Sequence, residues 1–305
     1  VPARFALWLS RPYLAAVTVI PLPHRAVLEV SGPEARGFLQ GLLTQDMAKA
    51  RHGALLFGAL LSPQGKLVTD LFIACPQEDV FWLDLPRARL ADVKRRLTLY
   101  RLRSRVEIVD LGERLAVAAV PHPIAAPMVE PDFSALVALD PRLPALGSRV
   151  YAAPDRTAAL AALWALPIEP PEAYETLRLS LGVPDPERDM EAEKDFLLEG
   201  LFDELNGVDF HKGCYVGQEM TSRMKRRGTV RTKLCPITFE DAPPTPDTPI
   251  LAGDWEVGRV RSGQEGRAMA LVRFDRVATA EEPLLAGGKP VRLEPPTWLI
   301  LPKGD

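Results

Sequence analysis

Apolar residues recur along this chain mostly in short alternating runs broken by glycine and proline, with a few stretches at helical spacing. Ala26-Val27-Leu28-Glu29-Val30 predicts a strand ended by Ser31-Gly32. Pro33 then predicts a helix running to about Leu43, with Ala35, Phe38, Leu39 and Leu42 on its apolar side. The apolar runs 54–61 and 66–74, joined by Ser62-Pro63-Gln64-Gly65, predict a hairpin, and 80–85 a further strand. Residues 86–100 fit a helix with Leu90, Val93 and Leu97 inward and Lys94, Arg95 and Arg96 as a solvated face. Strands follow at 105–109 and 115–120, then a Pro-rich surface loop at 122–133. Short strands resume at 136–139 and 149–152, and 158–166 is rich in Ala and Leu and reads as helical. Pro171 opens a better helix, with Tyr174, Leu177 and Leu181 on one face and Gly182 and Pro184 beyond its end. Residues 185–198 are acidic and expected to be exposed.

The pattern changes near residue 233. Ile237 and Phe239 alternate with polar neighbours, a break rich in Pro follows, and Trp255, Val257 and Val260 lead to Met269-Ala270-Leu271-Val272. Short strands with Gly and Pro turns predict a small β-barrel there. The fold class expected is therefore α+β with antiparallel sheets, divided into an N-terminal extension at 1–25, a main region at 26–233 and a barrel at 234–305.

Composition narrows the function. With 305 residues and 47% hydrophobic content, two or three domains with a full core are expected. A net charge of -3 offers no global attraction to nucleic acid, so electrostatic recognition must be local. Cys75, Cys214 and Cys235 match neither a disulfide framework nor a zinc spacing, and with four histidines no dedicated metal site is expected. Residues 14–21 are too short and interrupted to span a bilayer, and no membrane partner is expected. Arg4, Arg11 and Arg25 precede the first acid, Glu29, a pattern shared with transit peptides; an ordinary terminus is the expectation.

The densest chemistry lies in His211-Lys212-Gly213-Cys214-Tyr215-Val216-Gly217-Gln218-Glu219. Asn206-Gly207 marks a turn before it, and Val208 and Phe210 alternate as in a short extended approach. Residues 218–227 read as a short helix, with Gly217 as N-cap, Glu219 in the first turn, cations in the last and Gly228 as the stop. Cys214 thus sits ahead of a helix N-terminus and two residues from Lys212, both of which favour a thiolate. A buried, inert cysteine beside a tight turn is the competing reading.

Lys212-Gly213-Cys214-Tyr215-Val216-Gly217-Gln218-Glu219 resembles the signature of the YgfZ-type folate-binding proteins, relatives of the glycine-cleavage T-protein that act in iron–sulfur cluster maturation. Other pieces match in order: Gly32-Pro33-Glu34-Ala35 with Phe38-Leu39-Gln40-Gly41 and Thr44, Leu61-Ser62-Pro63-Gln64-Gly65-Lys66 with Asp70, Asp140-Pro141-Arg142 with Leu146-Gly147 and Arg149, and Leu177-Arg178 with Gly182-Val183-Pro184. The resemblance implies a three-domain ring: two interleaved α+β domains and a C-terminal barrel around a hole that takes tetrahydrofolate. It implies a folate-binding accessory factor for assembly or repair of iron–sulfur clusters. Cys214 and Asp70 would be the working groups, and Lys212, Gly213, Tyr215, Gly217, Gln218, Glu219, Arg223 and Arg227 would bind cofactor. Expected partners are folate, possibly polyglutamylated, and iron–sulfur assembly proteins or client enzymes, in a bacterial cytoplasm or a mitochondrial matrix.

The basic run Arg223, Lys225, Arg226, Arg227, Arg231, Lys233 would suit a glutamate tail, since the arginine fork binds carboxylates. A solvated basic face or a nucleic-acid patch are the other readings, and no interleaved aromatic residues support the latter. The alternative function is a one-carbon (aminomethyl) transferase of the T-protein type. Two departures weigh against it: Thr69 stands beside Asp70 where those relatives have an Asp pair, and no Gly-Glu-Asp-Gly stretch is present.

Overall fold

The computed structural model describes residues 17–124, 128–129, 135–228, 230–240 and 242–301. Much of the expected Pro-rich loop at 122–133 and most of the extension at 1–25 fall outside them.

Three antiparallel sheets account for the strands. In the first, the order is Leu55–Leu61, Leu67–Gln77, Val80–Pro86, Arg25–Ser31, Glu107–Asp110. The expected hairpin pairs Ala59 with Asp70 and turns at Gly65, whose φ of 78° suits glycine. In the second, the order is Ile20–Pro21, Ala116–Val120, Ser148–Ala152, Ala135–Leu139, Met128–Val129. Its edge strand Ile20–Pro21 comes before the first sheet in the chain, so the two units interleave.

Strand periodicity sorts the side chains. One face of the first sheet, with Leu28, Val30, Val68 and Phe81, packs under the helices Ala35–Gln40 and Leu90–Arg101 through Leu39, Val93 and Leu97. Its other face, with Val27, Phe57, Phe72 and Trp82, shares a core with Val117, Leu136 and Tyr151 of the second sheet. The far side of the second sheet, with Ala118, Val137 and Val150, is covered by Leu160 and Ala161 of the helix Pro154–Leu163. The result is helix, sheet, sheet, helix.

The third sheet has seven strands, from Thr232–Thr238 to Arg292–Leu293. Its two end strands, Lys289–Pro290 and Arg292–Leu293, lie at opposite ends of the strand order yet are separated in sequence only by Val291. The sheet must therefore curl until its ends nearly meet, and its inner residues Leu234, Val260, Ala270 and Ala286 are buried. The α+β class with a C-terminal barrel is the fold observed.

Local departures have identifiable causes. The first helix ends at Gln40 rather than near Leu43, because side-chain and backbone donors from residues 212–216 take the carbonyls there. The acidic segment 185–198 is exposed only in part: Glu191, Glu193 and Lys194 are exposed as expected, whereas Asp189 is fully buried and Pro186, Met190, Leu197 and Leu198 join the core side. Arg178 supplies the reason, since it neutralises Asp189 at 2.9 Å. The approach at 208–210 forms no strand, and Phe210 lies in a turn.

The two sheets are tied by Asp84, which is fully buried and accepts from Arg25 of its own sheet and from Arg149 and Tyr151 of the second. Asp84→Ala would leave two buried guanidinium groups undercompensated. It should cost about 3–5 kcal/mol in urea unfolding, and the loss should shrink when Arg149→Met is combined with it.

Candidate functional site

A cavity of about 740 Å³ opens between the sheets, the helix Glu172–Leu181 and the barrel. Its floor is built of charge. Asp84 Oδ1 accepts from Arg25 Nε at 2.7 Å, and Oδ2 from Arg149 Nη2 at 2.6 Å and Tyr151 Oη at 3.0 Å. Burial alone would raise the Asp84 pKa, but Arg149 and Arg25 outweigh it and hold the carboxyl below its usual range. Arg142 forks onto Asp140 at 3.0 and 2.7 Å and donates to Tyr174 Oη at 2.6 Å. The guanidinium carbons of Arg149, Arg142 and Arg25 lie 3.9, 4.8 and 5.5 Å from the ring centre of Phe72.

Asp70 lines this cavity. Its Oδ2 accepts from Arg25 Nη1 at 2.9 Å, while Oδ1 is buried and has no partner. A carboxylate oxygen shut from water without a donor is costly unless something supplies one. On the opposite wall Glu175 accepts from Arg178 at 2.6 and 2.5 Å and from Arg188. Arg178 reaches on to Asp189 and to Ser262 of the barrel, so the third sheet is braced against the cavity. Burial pushes Asp185 up to about 6. Burial, with Arg25, Arg149 and Arg188 nearby, pushes His24 down to about 4, so its imidazole is neutral at pH 7.

The signature folds elsewhere. The helix Gln218–Arg227 forms with Gly217 as N-cap at φ 82° and Gly228 as C-cap at φ 61°. Gly217 is required, because a Cβ there would stand 2.6 Å from the Ser62 carbonyl oxygen; Gly213 has open space around it. Lys212 is buried, and its Nζ donates to the carbonyls of Gln40, Leu43 and Gln45 at 2.8, 2.5 and 2.7 Å. It thereby satisfies carbonyls freed where the first helix ends. Burial pushes its pKa down to about 8, against the pull of Asp46 and Asp209. Cys214 is exposed and free, whereas Cys75 and Cys235 are buried. Burial raises both buried thiols, Cys235 to about 12.

Asp70 is the only one of the ten expected site residues on the cavity wall. Tyr215, Gly217, Gln218 and Glu219 line a separate, open hollow of about 1010 Å³ with His211 and Lys225. Lys212, Gly213, Cys214, Arg223 and Arg227 line neither. The basic run is not a free patch either: Arg223 pairs with Glu219 at 2.7 Å, Lys225 with Asp203 and Lys233 with Glu204. Glu219 lies four residues before Arg223 in the same helix, while Asp203 and Glu204 come from the segment ahead of the signature. The cavity residue Arg25 and the buried Asp84 behind it escaped the sequence reading, although a charge inside an apolar strand run is itself a signal, since such groups are rarely buried unless paired.

Comparison with known proteins places this geometry. Residues 13–138 match the GCVT N-terminal domain profile, and 231–300 match that of the CAF17 C-terminal beta-barrel domain. The chain is 31% identical over 286 residues to the mitochondrial iron-sulfur cluster assembly factor IBA57 homolog of Mycosarcoma maydis, covering 89% of this chain and 68% of that one. The homolog of Neurospora crassa is 31% identical over 240 residues, covering 73% of this chain and 54% of the relative, so this chain spans about half its length. The Homo sapiens factor is 29% identical over 290 residues, covering 86% and 79%. The glycine cleavage system aminomethyltransferase T from Bartonella henselae shares the fold, with a TM-score of 0.74 at 18% identity, covering 93% of this chain and 87% of that one.

Lys212→Met should cost about 2–4 kcal/mol, because three carbonyls lose a charged donor. Cys214→Ala, at an exposed position, should stay within about 0.5 kcal/mol of the parent. Chemical denaturation of the two variants side by side measures the difference.

Proposed function

The chain belongs to the IBA57 family of iron–sulfur cluster assembly factors, and from that premise we propose that it is a tetrahydrofolate-binding accessory factor for assembly or repair of iron–sulfur clusters in client enzymes. The observation that carries the folate half is the unpartnered Oδ1 of Asp70 in a cavity of about 740 Å³. Pockets for drug-sized ligands fall in a range of about 300–1,000 Å³. A pterin presents ring N–H groups and an amine, and a carboxylate oxygen lacking a donor suits them. Phe72 and Tyr174 add apolar wall, and the neutral His24 adds a ring nitrogen that can accept. Bound there, the reduced folate would supply one-carbon or reducing chemistry. The residues' own part is to bind it and orient it.

Cys214 is the working thiol in this reading. It is surface-exposed ahead of the helix Gln218–Arg227, open to another protein. One thiolate cannot hold a cluster that takes four, so ligation is shared with an assembly protein or client. The signature octapeptide aligns the chain with the YgfZ-type members of the superfamily. In a eukaryote the site of action is the mitochondrial matrix, in keeping with the names of the relatives; in a bacterium it is the cytoplasm.

Calorimetric titration with tetrahydrofolate tests the cavity. Asp70→Asn should weaken binding by roughly tenfold to a hundredfold, the loss expected when a hydrogen bond to a charged group goes. Arg223→Ala, away from the cavity, should bind like the parent; the reverse order would sink the assignment. Cys214→Ala should bind folate normally yet lower the activity of cluster-dependent enzymes in cells. Full cellular activity in that variant would remove the thiol from the mechanism.

A further inference from the structure

The helix Leu90–Arg101 and the turn after it present a surface that neither the cavity nor the signature uses. Between Val93 and Val106 stand Lys94, Arg95, Arg96, Arg101, Arg103 and Arg105, with no acid among them, in a chain of net charge -3. Val93 and Leu97 seat the helix in the core, but three apolar side chains stay outside it. Leu99 is 64% exposed, Tyr100 40% and Leu102 86%. Leu99 follows Arg95 by four residues, so the two share one stripe of the helix. Leu102 closes the helix at φ 48°, a conformation that residues other than glycine and asparagine seldom adopt, and its side chain stands out into solvent.

Ion pairing consumes only part of the charge. Arg95 and Arg96 share Asp92 at 2.5 and 2.7 Å, Arg96 also meets Glu193, and Arg105 holds Glu34 at 2.7 Å. Among the described residues Lys94, Arg101 and Arg103 have no carboxylate partner. Leu99, Tyr100 and Leu102 thus stand together at the helix end, exposed and bracketed by unneutralised cations, with Leu102 and Arg103 on the rim of an open hollow beside Glu34; apolar side chains grouped this way mark interaction surfaces.

We propose that this helix end docks reversibly on an anionic phospholipid surface. Leu99 and Leu102 enter the apolar layer, Tyr100 lies at the headgroup level, and Lys94, Arg101 and Arg103 meet lipid phosphates. A lipid surface offers negative charge with an apolar layer directly beneath it, which matches protruding leucines ringed by cations. A nucleic acid would use the cations and leave both leucines wet. An acidic protein would need a pocket shaped to receive a projecting turn. The expectation of no membrane partner rested on the lack of a spanning segment, and among the described residues no helix is long and apolar enough to cross a membrane. Surface docking needs none.

Co-sedimentation with vesicles tests this. The protein should bind phosphatidylcholine vesicles containing about a third cardiolipin and ignore pure phosphatidylcholine, and added salt should weaken the binding. Lys94→Glu with Arg103→Glu should weaken it by at least about tenfold. Leu99→Ser with Leu102→Gly should weaken it several-fold, glycine being chosen because it accepts the backbone at 102, φ 48° and ψ -109°. Thermal unfolding within a few degrees of the parent would show that both variants are folded. No binding of the folded parent to cardiolipin vesicles overturns the proposal. Equal binding by the leucine variant also overturns it, since the patch would then be a purely electrostatic one for an acidic macromolecule.

Discussion

Asp84 is the constraint around which the cavity is built. Taking a carboxylate wholly out of water costs several kcal/mol even after relaxation. Here four hydrogen bonds offset that cost, from Arg25 Nε, from Arg149 Nη2 and Nε, and from Tyr151 Oη. Apolar packing between the sheets is non-directional and would tolerate a slide of one sheet over the other. The Asp84 bonds are directional, and they join strands of both sheets. They also fix the Arg25 fork, whose Nε and Nη2 face the Asp84 carboxylate and backbone carbonyl while Nη1 faces Oδ2 of Asp70. Held that way, it does not reach the second oxygen of Asp70, which has no hydrogen-bond partner among the described residues. The same tie that fixes the sheets leaves a cavity-wall carboxylate half satisfied.

The signature divides its labour. Lys212, Val216 and Gly217 are architecture: the first ends the helix Ala35–Gln40, the second donates its N–H to Gly41 O at 3.1 Å, and the third lets the chain lie on the hairpin turn. Cys214 and Gly213 are free of such duties, being exposed and loosely surrounded. In the proposed function, the cluster is thus partly a mount for one exposed thiol. Motif density alone could not separate mount from payload.

What the sequence makes legible is local. The helix at 218–227 ends where its glycine caps and charge gradient require, and the hairpin turns where Ser62-Pro63-Gln64-Gly65 requires. The cavity is not local. Arg25, Asp70, Asp84, Arg142 and Arg149 meet from five stretches of chain, and no periodicity reports such a meeting. The acidic run at 185–198 is only partly exposed for the same reason: Asp189 reads as a surface residue until Arg178 and Ser262, 11 and 73 positions away, are brought against it. The signature was expected to face the cavity because the resemblance joined the two. The contacts of Lys212 and Gly217 turn it to the helix side and the hairpin turn instead.

That separation constrains any mechanism linking folate to the thiol. The turn 62–65 touches the signature on one side and runs directly into the strand Leu67–Gln77, which carries Asp70, on the other. The contact is close: a Cβ on Gly65 would come within 3.0 Å of the Gly217 oxygen, and one on Gly217 within 2.6 Å of the Ser62 oxygen. Backbone lies close to backbone there, with Met220 and Leu61 side chains packed against the same two glycines. A displacement of the strand by a cavity ligand would carry the turn, and with it the N-terminus of the helix Gln218–Arg227, as one body. Cys214, three residues before the N-cap Gly217, would move with it or not at all. In the proposed function the folate and the thiol therefore communicate through this hairpin, or else meet only on a client protein that reaches both the cavity mouth and the outer surface.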